Sequence, residues 1–96
     1  MEVELITDGK DWRTTRIMID GAELEYVRRA RISVNGVHMA TIDAGKGVVG
    51  NVRYVPYATV EIARYEKIDG YISRGDGGPV IIHETFEKVN ISPLES

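Results

Sequence analysis

The stretch that most constrains this chain is Arg28 to Ile42, RRARISVNGVHMATI. Ala30, Ile32 and Val34 alternate with Arg29, Arg31 and Ser33, the period of a strand with one face in a core and the other in solvent. Asn35-Gly36 follows, a pair that tolerates positive φ at both central positions of a tight turn, and Val37 to Ile42 supplies a return strand. A chain that accommodates this hairpin contains an antiparallel sheet.

Other segments extend it. Glu2 to Thr7 alternates Val3 and Leu5 with glutamates and stops at Asp8-Gly9-Lys10; Arg16 to Ile19 is extended in character and stops at Asp20-Gly21. Residues 22–30 admit two readings. Asp20 with Glu23, and Glu25 with Arg29, have helix-capping and helix-pairing spacings, so one short helix is open. Leu24 and Tyr26 alternate with Glu23 and Glu25, and the alternation resumes on the other parity at Ala30; two strand segments with a bulge near Val27-Arg28 explain that better. Val48 to Val55 is β-rich but interrupted at Gly50-Asn51, Pro56 breaks the ladder, and Tyr57 to Tyr65 resumes it up to Asp69-Gly70. Val80 to Val89 is the last long strand, and residues 92–96 read as a polar tail. The prediction is a single all-β domain over 1–91: a small antiparallel sandwich or partly open barrel of about six to eight short strands.

Size and charge narrow the function classes. The 96 residues suffice for one core without staples, and the absence of cysteine removes disulfides and thiolate metal sites. Twelve Lys and Arg against fifteen Asp and Glu give a net charge of −3, which argues against nucleic acid as a partner drawn by the overall field. Neither an export signal nor an apolar run near the roughly 20 residues of a membrane span is evident, so a soluble protein made in the cytoplasm is expected, and the sequon at Asn90-Ile91-Ser92 carries no weight.

The densest positive charge is Arg28, Arg29 and Arg31, with Tyr26 beside it and Arg13 and Arg16 earlier. Guanidinium forks suit phosphate or a partner's carboxylates; a solvated strand face paired with glutamates is the plainer alternative. Gly45-Lys46-Gly47 lacks the Ser or Thr of a phosphate loop, and Gly75 to Pro79 reads as a turn before it reads as a ligand lid. His38 and His83, with Asp43 or Glu84, have no recognised ligand spacing, so no metal or cofactor is expected. His83 and Glu84 point to opposite faces of a strand, and no catalytic constellation can be assembled; an enzyme is not expected. Tyr54 and Tyr57, on either side of Val55-Pro56, are candidate interface anchors, while with a single Phe some tyrosines are expected in the core.

Taken together, Val3-Glu4-Leu5, the Asp8-Gly9-Lys10-Asp11 turn and Val27 to Val34 resemble small β-rich proteins encoded in bacteriophage and prophage genomes. The resemblance covers the first third to half of the chain. It implies a virion component, a capsid-decoration or tail-associated subunit, present in the host cytoplasm during synthesis and in the particle afterwards. On that expectation the partners are other protein subunits in a homo-oligomer or larger assembly, met through Arg28, Arg29, Arg31, Tyr54 and Tyr57. An alternative is a phosphorylated or nucleotide-like small molecule held by Arg29, Arg31, Lys46 and Asp76, with the Gly75 to Pro79 loop closing over it. A third is single-stranded nucleic acid on a barrel face of tyrosines and arginines.

Overall fold

The alternation in the sequence becomes one curled sheet. The computed structural model describes residues 1–95. Along the chain run β1 (Val3–Thr7), β2 (Arg16–Ile19), β3 (Ala22–Glu23), β4 (Val27–Val34), β5 (Val37–Asp43), β6 (Gly47–Gly50) and β7 (Ala58–Tyr65). Four short strands follow, β8 (Lys67–Ile68), β9 (Tyr71–Ile72), β10 (Arg74–Gly75) and β11 (Gly78–Pro79), before the long β12 (Ile81–Pro93). Eight strands form one sheet in the order β3-β2-β1-β12-β7-β4-β5-β6, curled into a half-barrel, with a single 3-10 turn at Trp12–Thr14. The chain is all-β as predicted, and the partly open barrel is the architecture it adopts.

Turn chemistry sets the hairpins. Asp20-Gly21, Asn35-Gly36 and Asp69-Gly70 hold φ of 49° and 83°, 51° and 78°, and 51° and 86°, positive at both positions as a turn matched to strand twist requires. Between them the alternation fills the concave side. Ile17, Leu5 and Ile91 lie in one row across three strands; Phe86, Val60, Ile32, Ala40 and Gly50 lie in another across five, and Ile62, Ala30, Ile42 and Val48 in a third. All but Gly50 and Val48 are buried, and the large fully buried side chains Leu5, Ile32, Val60 and Val89 sit in this core. The second row tapers from Phe to Gly toward the edge strand.

Four expectations are corrected. The sheet is mixed rather than antiparallel throughout, because β12 runs parallel to β1, pairing Glu4 to Thr7 with Asn90 to Pro93. Residues 22–30 hold no helix. Asp20 occupies the left-handed turn position, not the extended conformation of an N-cap, and its carboxylate accepts the Glu2 amide at 2.7 Å. The register between β4 and β7 shifts between Val27 and Arg29, the bulge that the change of parity implied, with Arg28 as the extra residue. The tail begins later than residue 92: Ser92 and Pro93 pair with Ile6 and Thr7, Ser92 Oγ donates to Glu4 at 2.9 Å, and the Leu94 amide donates to the Thr7 carbonyl at 3.1 Å. Ser96, the end of that tail, lies outside the described residues. Finally, the core contains no tyrosine: Tyr26, Tyr54, Tyr57 and Tyr71 are exposed and Tyr65 half-buried, since aliphatic rows already fill the narrow concavity.

Candidate functional site

Curling without closure leaves a gap. On one side stand β2, β3 and the 3-10 turn, and on the other β4 and the end of β5. The cleft between them has a volume of about 640 Å³. Its floor is apolar, formed by Ile17, Leu24, Val27, Ala30, Ile42 and Ala44, of which Ile17, Ala30 and Ile42 belong to the buried core. Trp12 and Tyr26 supply rings at the rim.

The charge around the cleft is unequal. Arg13, Arg16, Arg28, Arg29 and Lys67 line it, against the two carboxylates Glu23 and Glu25. Three cations are matched: Arg13 with Asp11 at 2.8 Å, Arg16 with Glu23 at 3.4 Å and Lys67 with Glu25 at 3.0 Å. The hydrogen bond and charge of Glu25 hold the Lys67 ammonium above its ordinary pKa, and Arg13 holds the Asp11 carboxyl below the usual range. Among the described residues, Arg28 and Arg29 have no carboxylate within 4 Å. The Arg28 guanidinium carbon lies 5.4 Å above the Tyr65 ring centre, and the Lys67 ammonium 5.1 Å above that of Tyr26. Tyr26 has a left-handed backbone, φ 63°, an uncommon conformation for a bulky residue. Its carbonyl accepts the Tyr65 amide at 3.1 Å, which ties the rim to the end of β7.

The bulge separates the arginines. Arg29 and Arg31 are two apart on β4 and belong to the solvent face, where register sets Arg31 beside Thr41 and Glu61, and Arg29 beside Asp43 and Ala63. The Arg31–Glu61 distance is 3.9 Å, the cross-strand pairing of a solvated face. Both arginines also line a shallow depression of about 120 Å³ with Glu61, His83 and Glu84. Glu84 is itself paired with Arg64. Arg28, as the extra residue, lines only the cleft, whereas Arg29 lines both the cleft and the depression.

The remaining candidates are dispersed. Lys46 lies in the β5–β6 turn, whose geometry comes from the Asp43 carboxylate accepting the Gly45 and Lys46 amides at 2.7 and 3.1 Å; these bonds lower the Asp43 pKa. Asp76 lies in the β10–β11 turn, and neither cavity is lined by Lys46, Asp76 or the Gly75 to Pro79 segment. Tyr54 donates its hydroxyl to the Thr7 carbonyl at 3.0 Å, which anchors the β6–β7 crossover, whereas Tyr57 is 70% exposed. His38 Nε2 is 2.8 Å from Thr41 Oγ1, and no three His, Asp or Glu side chains gather into a ligand set among the described residues.

One feature escaped the sequence reading. Residues 66–80 form an arm of two ribbons, β8–β9 and β10–β11, joined to β7 and β12 by a ring of backbone bonds: Glu66 to Val80, Ser73 to Glu66 and Val80 to Ser73, each 2.9 Å from amide nitrogen to carbonyl oxygen. Ile68 and Tyr71 are direct cross-strand partners at the tip, 57% and 78% exposed. The available signal was a pair of large apolar residues bracketing an Asp-Gly turn. No helix of the described residues is long and apolar enough to cross a membrane. Comparison with known proteins gives no match to a family model, a curated protein or a solved structure.

Proposed function

We propose that the protein is a non-enzymatic interaction subunit of a symmetric assembly. The observation that carries this reading is the Ile68–Tyr71 pair. Side chains of this size at adjacent cross-strand positions normally pack against something, and here they stand in solvent at the end of an arm whose backbone is fixed by three mutual hydrogen bonds. An apolar pair held on a stiff projection is suited to entering a neighbour's surface at little ordering cost. The open edges of β3 and β6, and the exposed Val49 on β6, offer a second means of joining copies, through strand pairing. The setting we propose is a phage virion, with the chain as a capsid-decoration or tail-associated subunit; the resemblance of the first third to half of the sequence supports that setting. Partners are then like subunits or other particle proteins.

Sedimentation velocity across a concentration series tests the reading. The wild-type chain is expected to form a defined oligomer, and the double substitution Ile68→Ser, Tyr71→Ser to sediment as a monomer with an unchanged far-ultraviolet circular dichroism spectrum. A wild-type monomer at every concentration would exclude self-assembly.

A further inference from the structure

The cleft at the open side of the half-barrel meets the arm only through Lys67 and asks for a different occupant. Its floor is core-like, its rim carries more positive than negative charge, and Arg28 has no carboxylate partner among the described residues. A volume of about 640 Å³ falls within the range of sites that enclose small organic ligands. We infer that this cleft binds a small amphipathic anion, a carboxylate or phosphate head on an apolar body, with the head at Arg28 and Arg29 and the body along the half-buried Leu24, Val27 and Ala44.

The half-buried Leu24, Val27 and Ala44 gain by being covered, which a simple inorganic ion cannot do. Arg28 is poised over the Tyr65 ring rather than spent on an ion pair, so its exposed donor fork is available to an oxyanion. Of the carboxylates near the head position, Glu23 is engaged by Arg16, Glu25 by Lys67, and Asp43, the cross-strand partner of Arg29, by the Gly45 and Lys46 amides. Tyr26 adds support: a left-handed tyrosine at the rim is backbone strain held at the mouth of a cleft, with its ring fixed under Lys67.

Trp12 is the single tryptophan of the chain, lines the cleft and is 41% exposed, so its emission reports occupancy directly. The test is a titration of the full chain with laurate, dodecyl phosphate, dodecanol and inorganic phosphate, each below its aggregation concentration, with calorimetry for stoichiometry. Laurate or dodecyl phosphate is expected to saturate the Trp12 signal at one site per chain. Saturation by laurate alone identifies a carboxylate ligand, and by dodecyl phosphate alone a phosphorylated one. Arg28→Gln should weaken binding about tenfold, the loss of one charge-assisted fork. Ala44→Leu, which fills the floor and leaves every charge in place, should weaken it as well, so the outcome does not depend on one variant folding. The inference is overturned if neither amphiphile gives saturable binding, if dodecanol or inorganic phosphate binds as well as they do, or if well-folded Arg28→Gln and Ala44→Leu proteins bind like wild type.

Discussion

Gly50 ends the row that begins at Phe86, and it does so at a φ of 90° with no room for a side chain. A Cβ there would lie 2.5 Å from the Met39 carbonyl oxygen and 3.0 Å from the Ala40 Cα, both backbone atoms of the paired strand. Gly50→Ala is therefore expected to lose about 3 kcal/mol of stability in urea unfolding, combining left-handed strain with overpacking that only a backbone shift can relieve. Asp8 shows a different kind of constraint. Its carboxylate accepts the Lys10 and Asp11 amides at 2.8 and 3.0 Å, and these bonds hold its pKa below the usual carboxylate range. A depressed folded pKa means stability that is present above the unfolded-state value and lost as pH falls through the folded one. Unfolding measured at pH 7 and pH 3 should show a smaller difference between the two conditions in Asp8→Asn than in wild type. Both residues sit in stretches whose turn or break was legible in sequence; the atoms that make them irreplaceable were not, because Met39 meets Gly50 only after β5 and β6 pair.

At the scale of elements, locality decided what could be read. The Asn35-Gly36 hairpin follows from two residues and the alternation around them, and Gly36→Ala, at a φ of 78° with open space around it, should cost only about 1 kcal/mol, checked by thermal unfolding. The bulge at Arg28 was legible for the same reason, as a change of parity along one strand. β12 was harder. Ser92 looks like the onset of a tail, yet it follows the buried Ile91, and what holds it is β1, where its partner Ile6 lies 86 residues earlier in sequence. No local pattern distinguishes a parallel partner of that kind from a frayed end. The cleft is similar: Arg16, Glu25 and Arg28 were all visible, and only the curl of the sheet brings their strands to one opening.

For the molecule as a whole, the parallel contact between β1 and β12 joins the β2–β3 side of the sheet to the β7–β4–β5–β6 side. Truncation after Val89 removes every β12 residue that pairs with β1 and should leave a chain without cooperative thermal unfolding by circular dichroism. The gentler Ile91→Ala, which keeps the backbone pairing, should fold and lose about 2–5 kcal/mol. That same contact has a consequence for folding. β1 cannot meet its central neighbour until residues 90–93 are in place, so the β1–β2 ribbon lacks that support while β4, β5 and β7 pair across shorter stretches of chain. Of the pairings in this sheet, that of β1 with β12 closes the longest loop.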